Sequence, residues 1–141
     1  FVVAGDGVAR EELQQQMPNA IFLGNLDHEA LSIWYASSDV FLFTSETETY
    51  GNVVVEAMAS GLPVVVANAG GPNDLVDQYV TGIKCDPRDA DAFYAGINLY
   101  MTDEQLRLKV IDNALQYARS LDWDQLTATY FAMVEDMLSQ N

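Results

Sequence analysis

A chain of 141 residues, half of them hydrophobic, is long enough to enclose one ordinary core and has no apolar run of membrane-spanning length. Its net charge of −15, with six Lys and Arg against 21 Asp and Glu, would repel a nucleic-acid backbone or an anionic membrane, so neither is an expected partner. A single cysteine, Cys85, excludes an internal disulfide framework, and with no cleavable leader in view a reducing cytoplasm is the expected compartment.

The chain opens at Phe1 on the apolar run Phe1-Val2-Val3-Ala4, which reads as a strand already inside a sheet, so a piece of a longer protein is expected. A helix over 9–16 and a strand over 20–23 follow. The next helix, 27–37, takes Asp27 as its N-cap. A strand at 40–43 leads into a helix at 52–60, which Gly61 and Pro63 should stop. Then come a strand at 64–67, a helix at 72–78, a strand at 82–85 and three successive helices at 90–100, 103–119 and 123–138. Short runs rich in Val, Ile and Phe alternating with segments of helical period are the pattern of βα units on a parallel sheet, apolar on both faces where helices cover both. The expected class is α/β, a Rossmann-like doubly wound parallel sheet in one domain, 1–141, with extra C-terminal helices. Ligands of such sheets bind beyond the carboxyl ends of the strands, which singles out the loops 5–8, 24–27, 44–51 and 68–72.

The loop 44–51, Thr44-Ser45-Glu46-Thr47-Glu48-Thr49-Tyr50-Gly51, runs straight into a helix start at Asn52. Free N–H groups at Tyr50, Gly51, Asn52 and Val53, with the positive end of the helix dipole, suit a diphosphate. Glycine at 51 lets a phosphate approach the backbone. One turn into the helix, Glu56 can accept from two vicinal ribose hydroxyls, with Ala57 and Ala59 leaving room beside it, while Glu48 can hold hydroxyls of a sugar. Physics alone leaves another account open. Glu48 can be an ordinary acid stabilising the helix dipole by ~0.3–1 kcal/mol, and Glu56 a solvent-facing helix residue. His28 reads as a surface residue of a first turn and Cys85 as a small core residue. Trp34, Tyr35, Trp123, Tyr130 and Phe131 read as core or inter-domain packing. No second His or Cys offers metal spacing, so no metal is expected.

The stretch Ser45-Glu46-Thr47-Glu48-Thr49-Tyr50-Gly51-Asn52-Val53-Val54-Val55-Glu56-Ala57-Met58-Ala59-Ser60-Gly61-Leu62-Pro63-Val64-Val65 closely resembles the Glu-x7-Glu signature of family-four retaining glycosyltransferases of the GT-B fold. Gly5-Asp6-Gly7, Phe22-Leu23-Gly24 and Gly70-Gly71-Pro72 are similar to further motifs of that family, with Tyr50 in place of the more usual Phe and Asp74 where a Glu often stands. The resemblance implies the C-terminal, donor-binding half of a two-domain enzyme that moves a hexose from a nucleotide diphosphate sugar, such as GDP-mannose or a UDP-hexose, to an acceptor hydroxyl in glycan or glycolipid synthesis. It makes Glu48 the catalytic-site contact to the sugar and Glu56 the ribose ligand. Tyr50, Gly51, Asn52 and Val53 then cradle the diphosphate, and Asn25 and Leu26 border the nucleobase, with no cofactor. The family's Arg and Lys pair and its acceptor domain would lie before Phe1, so the isolated chain is not expected to transfer sugar. The rival readings are a stand-alone nucleotide-binding or regulatory α/β module and half of a GT-B nucleotide-sugar epimerase or phosphorylase.

Overall fold

The computed structural model describes residues 1–139, with the side chains of Trp123, Gln125 and Leu126 outside that description. In chain order its elements are β1 (Val2–Ala4), α1 (Arg10–Gln16), β2 (Ile21–Gly24), α2 (His28–Ser37), β3 (Phe41–Phe43), α3 (Asn52–Ala59), β4 (Val64–Ala67), α4 (Gly70–Leu75), β5 (Ile83–Cys85), α5 (Ala90–Thr102), α6 (Glu104–Ser120) and α7 (Trp123–Ser139). They fall into two compact units, residues 1–38 and the part from Asp39 onward.

In the first unit β1 and β2 pair in parallel, Val2 beside Ile21 and Ala4 beside Gly24, with an irregularity after Val3. Gly5 N–H donates to the Gly24 carbonyl at 2.7 Å where the ladder ends. The carboxylate of Asp27 accepts from Ala30 N–H at 2.8 Å, the N-cap expected for α2. On that helix Tyr35 is buried and Trp34 half-buried, as expected of core aromatics.

The second unit holds a parallel sheet in the order β3-β4-β5. Phe41 lies beside Val64, and Val65 beside Ile83. All four residues of the central β4 are buried, as a strand flanked on both edges and covered on both faces requires. The same cover was expected of the other strands, yet Val2, Ile21 and Leu42 are exposed. A short apolar run does not reveal which of its faces a helix covers. The core gathers Val65, Ala67, Ile83 and Cys85 with Phe93, Tyr100 and Val110. Inside it, the Tyr100 hydroxyl donates to the Val64 carbonyl at 3.3 Å.

Helix ends follow local chemistry. Asp89 caps α5 and Asp103 caps α6, each accepting the N–H three residues on. α3 ends in a Schellman motif: Gly61, at φ 75°, donates to the Met58 carbonyl and Leu62 N–H to the Ala57 carbonyl, each at 3.0 Å. α4 departs from the expected 72–78 and runs from Gly70 to Leu75. Pro72 sits inside its first turn, where an amide has no intrahelical partner to lose, and Val76 is already extended.

Strand β5 is closed off by a side chain. Lys84 N–H donates to Gln78 Oε1 at 2.6 Å, and Gln78 Nε2 donates back to the Lys84 carbonyl at 3.3 Å. On α7, Tyr130 and Phe131 meet edge-to-face at 5.8 Å between ring centres but are exposed, along with Met133, Met137 and Leu138. Of the core or inter-domain packing expected for those two aromatics, the core alternative does not hold within this chain, and the packing of Trp123 lies outside the described residues. No helix among the described residues is long and apolar enough to cross a membrane.

Two outcomes follow from the buried core. Tyr100→Phe should cost about 1 kcal/mol through its lost hydrogen bond, against roughly 3–5 kcal/mol for Tyr100→Ala, read from urea unfolding. Burial raises the Tyr100 phenol far above its ordinary value of 10.0 and the Cys85 thiol above 9.0, with the neighbouring Cys85 and Asp89 respectively adding to the shift. The folded chain therefore holds both protons more tightly than the unfolded chain. That stability should be complete below about pH 9 and decline as pH rises further, checked by denaturant midpoints measured between pH 7 and 11.

Candidate functional site

β3 delivers the chain to the mouth of its sheet, and the loop 44–51 turns it into α3. The turn is made at Gly51, which has φ 95° and is buried. A Cβ there would stand 3.0 Å from Pro72 Cγ and 3.6 Å from Leu75 Cδ1. Beside the close approach of a phosphate expected here, two further reasons for glycine stand: left-handed backbone and contact with α4. Gly51 still accepts the first helical bond, from Val54 N–H at 2.9 Å. Among the described residues no acceptor meets the N–H groups of Tyr50, Gly51 or Asn52. Tyr50 and Asn52 are exposed and Val53 is half-buried.

α3 has a buried face, Val54, Ala57 and Met58, and packs against α6. Helical spacing puts Asn52, Val55, Glu56 and Ala59 on its other face. Asn52 and Ala59 are exposed there, and Val55 and Glu56 are half-buried. Side chains on a helix lean toward its N-terminus, so Glu56, one turn beyond Asn52, leans toward the end where the unbonded N–H groups open. Ala57 does not clear space beside Glu56 as expected. It faces the core, and Ala59 alone of the two flanking alanines is on the outer face.

Glu48 is exposed, and its Oε1 accepts from Thr49 N–H at 3.1 Å. Its carbonyl accepts from Gly71 N–H at 2.8 Å, which ties the loop to the start of α4. Glu48, Tyr50, Gly51, Asn52, Val53 and Glu56 therefore belong to one continuous strand-loop-helix segment of the second unit. Asn25 and Leu26 belong to the first unit, between β2 and Asp27, with Asn25 exposed and Leu26 half-buried. Asp74 is exposed on α4 and accepts from Asn73 Nδ2 at 3.4 Å. His28 is exposed at the first position of α2, as expected.

Two neighbours of these residues were not singled out by sequence. Tyr117, on α6, has its phenol raised by burial and then by the proximity of Tyr50 and Asp77. Arg10 pairs with Asp6 at 3.1 Å, and its guanidinium lies 3.2 Å from where a Cβ of Gly24 would be. The Arg10–Asp6 pair is local, but the place of Arg10 beside Gly24 and that of Tyr117 near Tyr50 depend on segments distant in sequence meeting. Between Arg10 and Lys84 there is no Arg or Lys, and Lys84 Nζ donates to the Asn73 carbonyl at 3.4 Å. Among the described residues no group of His, Cys, Asp or Glu is gathered so as to hold a metal ion.

Residues 1–117 match the family described as Glycosyl transferases group 1. A GDP-mannose-dependent alpha-mannosyltransferase of Mycolicibacterium smegmatis is 51% identical over 86 residues, covering 61% of this chain and 23% of that protein. The protein of the same description from Corynebacterium glutamicum is 32% identical over 139 residues, 99% of this chain and 34% of its own length. Among solved structures, Anabaena HepE in complex with UDP-glucose has a TM-score of 0.80 and 29% identity over 99% of this chain and 40% of its own. The chain thus spans two fifths or less of these relatives, and its fold is the Rossmann-like GT-B half expected from the sequence. With residues 1–117 matched by the family and 99% of the chain covered by the Corynebacterium relative at 32% identity, the chain belongs to the group 1 glycosyltransferases.

Proposed function

We propose that this chain is the donor-binding part of a retaining hexosyltransferase that uses a nucleotide diphosphate sugar. The observation that carries the reading is the open start of α3, with unbonded N–H groups at Tyr50, Gly51 and Asn52 and a carboxylate on either side of it in sequence. Those amides receive the diphosphate, Glu56 the ribose hydroxyls and Glu48 the hydroxyls of the transferred sugar. Asn25 and Leu26 border the base. GDP-mannose is the favoured donor, since mannosyltransferases named for it are among the relatives, and a UDP-hexose is the alternative suggested by HepE.

Departure of the nucleotide diphosphate is the step the amides assist, by stabilising charge that develops on the leaving group while an acceptor hydroxyl attacks the same face of the sugar. A helix start supplies about half an elementary charge, so a cation must complete the site. None occurs in the segment from Ala36 to Ile83. We assign that cation, and the acceptor site, to parts of the enzyme beyond this chain, and place the enzyme in the cytoplasm on the strength of the lone cysteine.

Calorimetry with GDP, UDP and ADP tests the ribose assignment. Glu56→Ala should weaken the preferred nucleotide about tenfold or more, the scale of a lost hydrogen bond to a charged group, and equal affinity of both proteins for all three nucleotides would overturn it. The chain alone should give no transfer from GDP-mannose or UDP-glucose to any acceptor in a radiolabel assay; clear turnover would sink the assignment of the missing cation.

A further inference from the structure

We infer that Gly70 and Gly71 are positioning residues for the donor sugar, forming a side-chain-free seat that fixes the loop carrying Glu48; the inference rests on the donor-site reading above. The Glu48 carboxylate is exposed, and among the described residues its one bond is to the adjacent Thr49 N–H. No distant side chain locates it, so its place is set by its backbone. That backbone is held by Gly71 N–H, which donates to the Glu48 carbonyl at 2.8 Å.

The fit leaves no space for a side chain at either glycine. A Cβ on Gly70 would lie 2.7 Å from the Glu48 carbonyl oxygen and 3.1 Å from that of Glu46. One on Gly71 would lie 2.5 Å from Tyr50 Cα and would collide with the Thr49 carbonyl. Three successive loop residues, Glu48, Thr49 and Tyr50, thus rest on bare backbone. The seat itself is anchored from below, by the buried Pro72 and Leu75 and by Lys84 Nζ bonded to the Asn73 carbonyl.

The two halves of the site are carried differently. Glu56 and Asn52 ride on α3, which packs against α6, whereas Glu48 rides on the loop against α4. A change at Gly70, whose nearest neighbours are Glu46 and Glu48, should therefore move the sugar contact and leave the nucleotide contacts nearly in place, whereas one at Gly71 also presses on Tyr50, whose amide belongs to the proposed diphosphate cradle, and should weaken both.

The test compares GDP with GDP-mannose, and UDP with UDP-glucose, by calorimetry on the wild type, Gly71→Ala and Gly70→Ala. The wild type should gain affinity from the sugar, and both variants should lose about tenfold of that gain, Gly70→Ala while binding GDP or UDP within roughly threefold of wild type and Gly71→Ala with weakened nucleotide binding as well. Glu48→Gln should lose the same gain, and combining it with Gly71→Ala should add nothing further. A gain kept by a folded Gly71→Ala or Gly70→Ala overturns the seat and leaves the donor site standing. A wild type with no sugar-dependent gain overturns the Glu48 assignment and the seat together. Should neither variant fold, amide exchange at Gly71 in the wild type decides: slowing by the nucleotide sugar beyond that given by the nucleotide supports the seat, and equal slowing overturns it.

Discussion

The left-handed turn at Gly51 fixes where the proposed amide contacts and Glu56 fall. It is the point at which an exposed loop from β3 becomes a helix with a buried inner face, and it does so in contact with Pro72. An L-residue there would meet two penalties at once, an unfavourable φ and a Cβ pressed on a proline ring. Because the turn is buried while Tyr50 and Asn52 on either side are exposed, the chain presents backbone N–H groups to solvent without giving up its anchorage. The Schellman turn at Gly61 then returns the chain to the wholly buried β4. One short helix, bounded by two left-handed glycines, connects the mouth of the sheet to its centre.

Electrostatics sets a limit on what this scaffold does unaided. The chain is strongly acidic, and the two cations nearest in sequence to the proposed site are already engaged, Arg10 with Asp6 and Lys84 with a backbone carbonyl. In the proposed site a diphosphate at α3 would meet neutral amide dipoles and the carboxylates assigned to hydroxyl groups. Such a surface orients a sugar nucleotide better than it neutralises one, which suits a part that shares its substrate with the remainder of a larger enzyme.

Much of this was legible in the sequence, and the parts that were not have a common cause. Strand positions followed from runs of Val, Ile and Phe, and the caps at Asp27 and Gly61 from residue types whose local hydrogen bonds need no distant partner. Glu48 and Glu56 stood out because their spacing spans a helix start. The start of α4 is less legible, since Pro72 suggests a helix beginning there while the tolerance of proline extends through the first turn and the helix begins at Gly70. The room expected beside Glu56 from Ala57 is absent, because Ala57 is buried on the core face, and the contact of Gly51 with Pro72 and Leu75 of α4 adds a reason for its glycine that spacing does not show. Exposure of Ile21 and Leu42 is not legible, because hydrophobicity states what a residue would favour and not what the chain provides to cover it, whereas that of Tyr130 and Phe131 agrees with the inter-domain alternative read for them.

The amide of Gln78 has an implication for how the molecule behaves among copies of itself. A β-strand at the margin of a sheet ordinarily offers its rungs to any passing strand, and that invitation underlies fibre growth and stray dimers. By satisfying both the donor and the acceptor of Lys84, one glutamine imitates the next strand and ends the series there. The series is terminated at Lys84 by a group too small to be extended in its turn, so this margin is sealed there without any added strand.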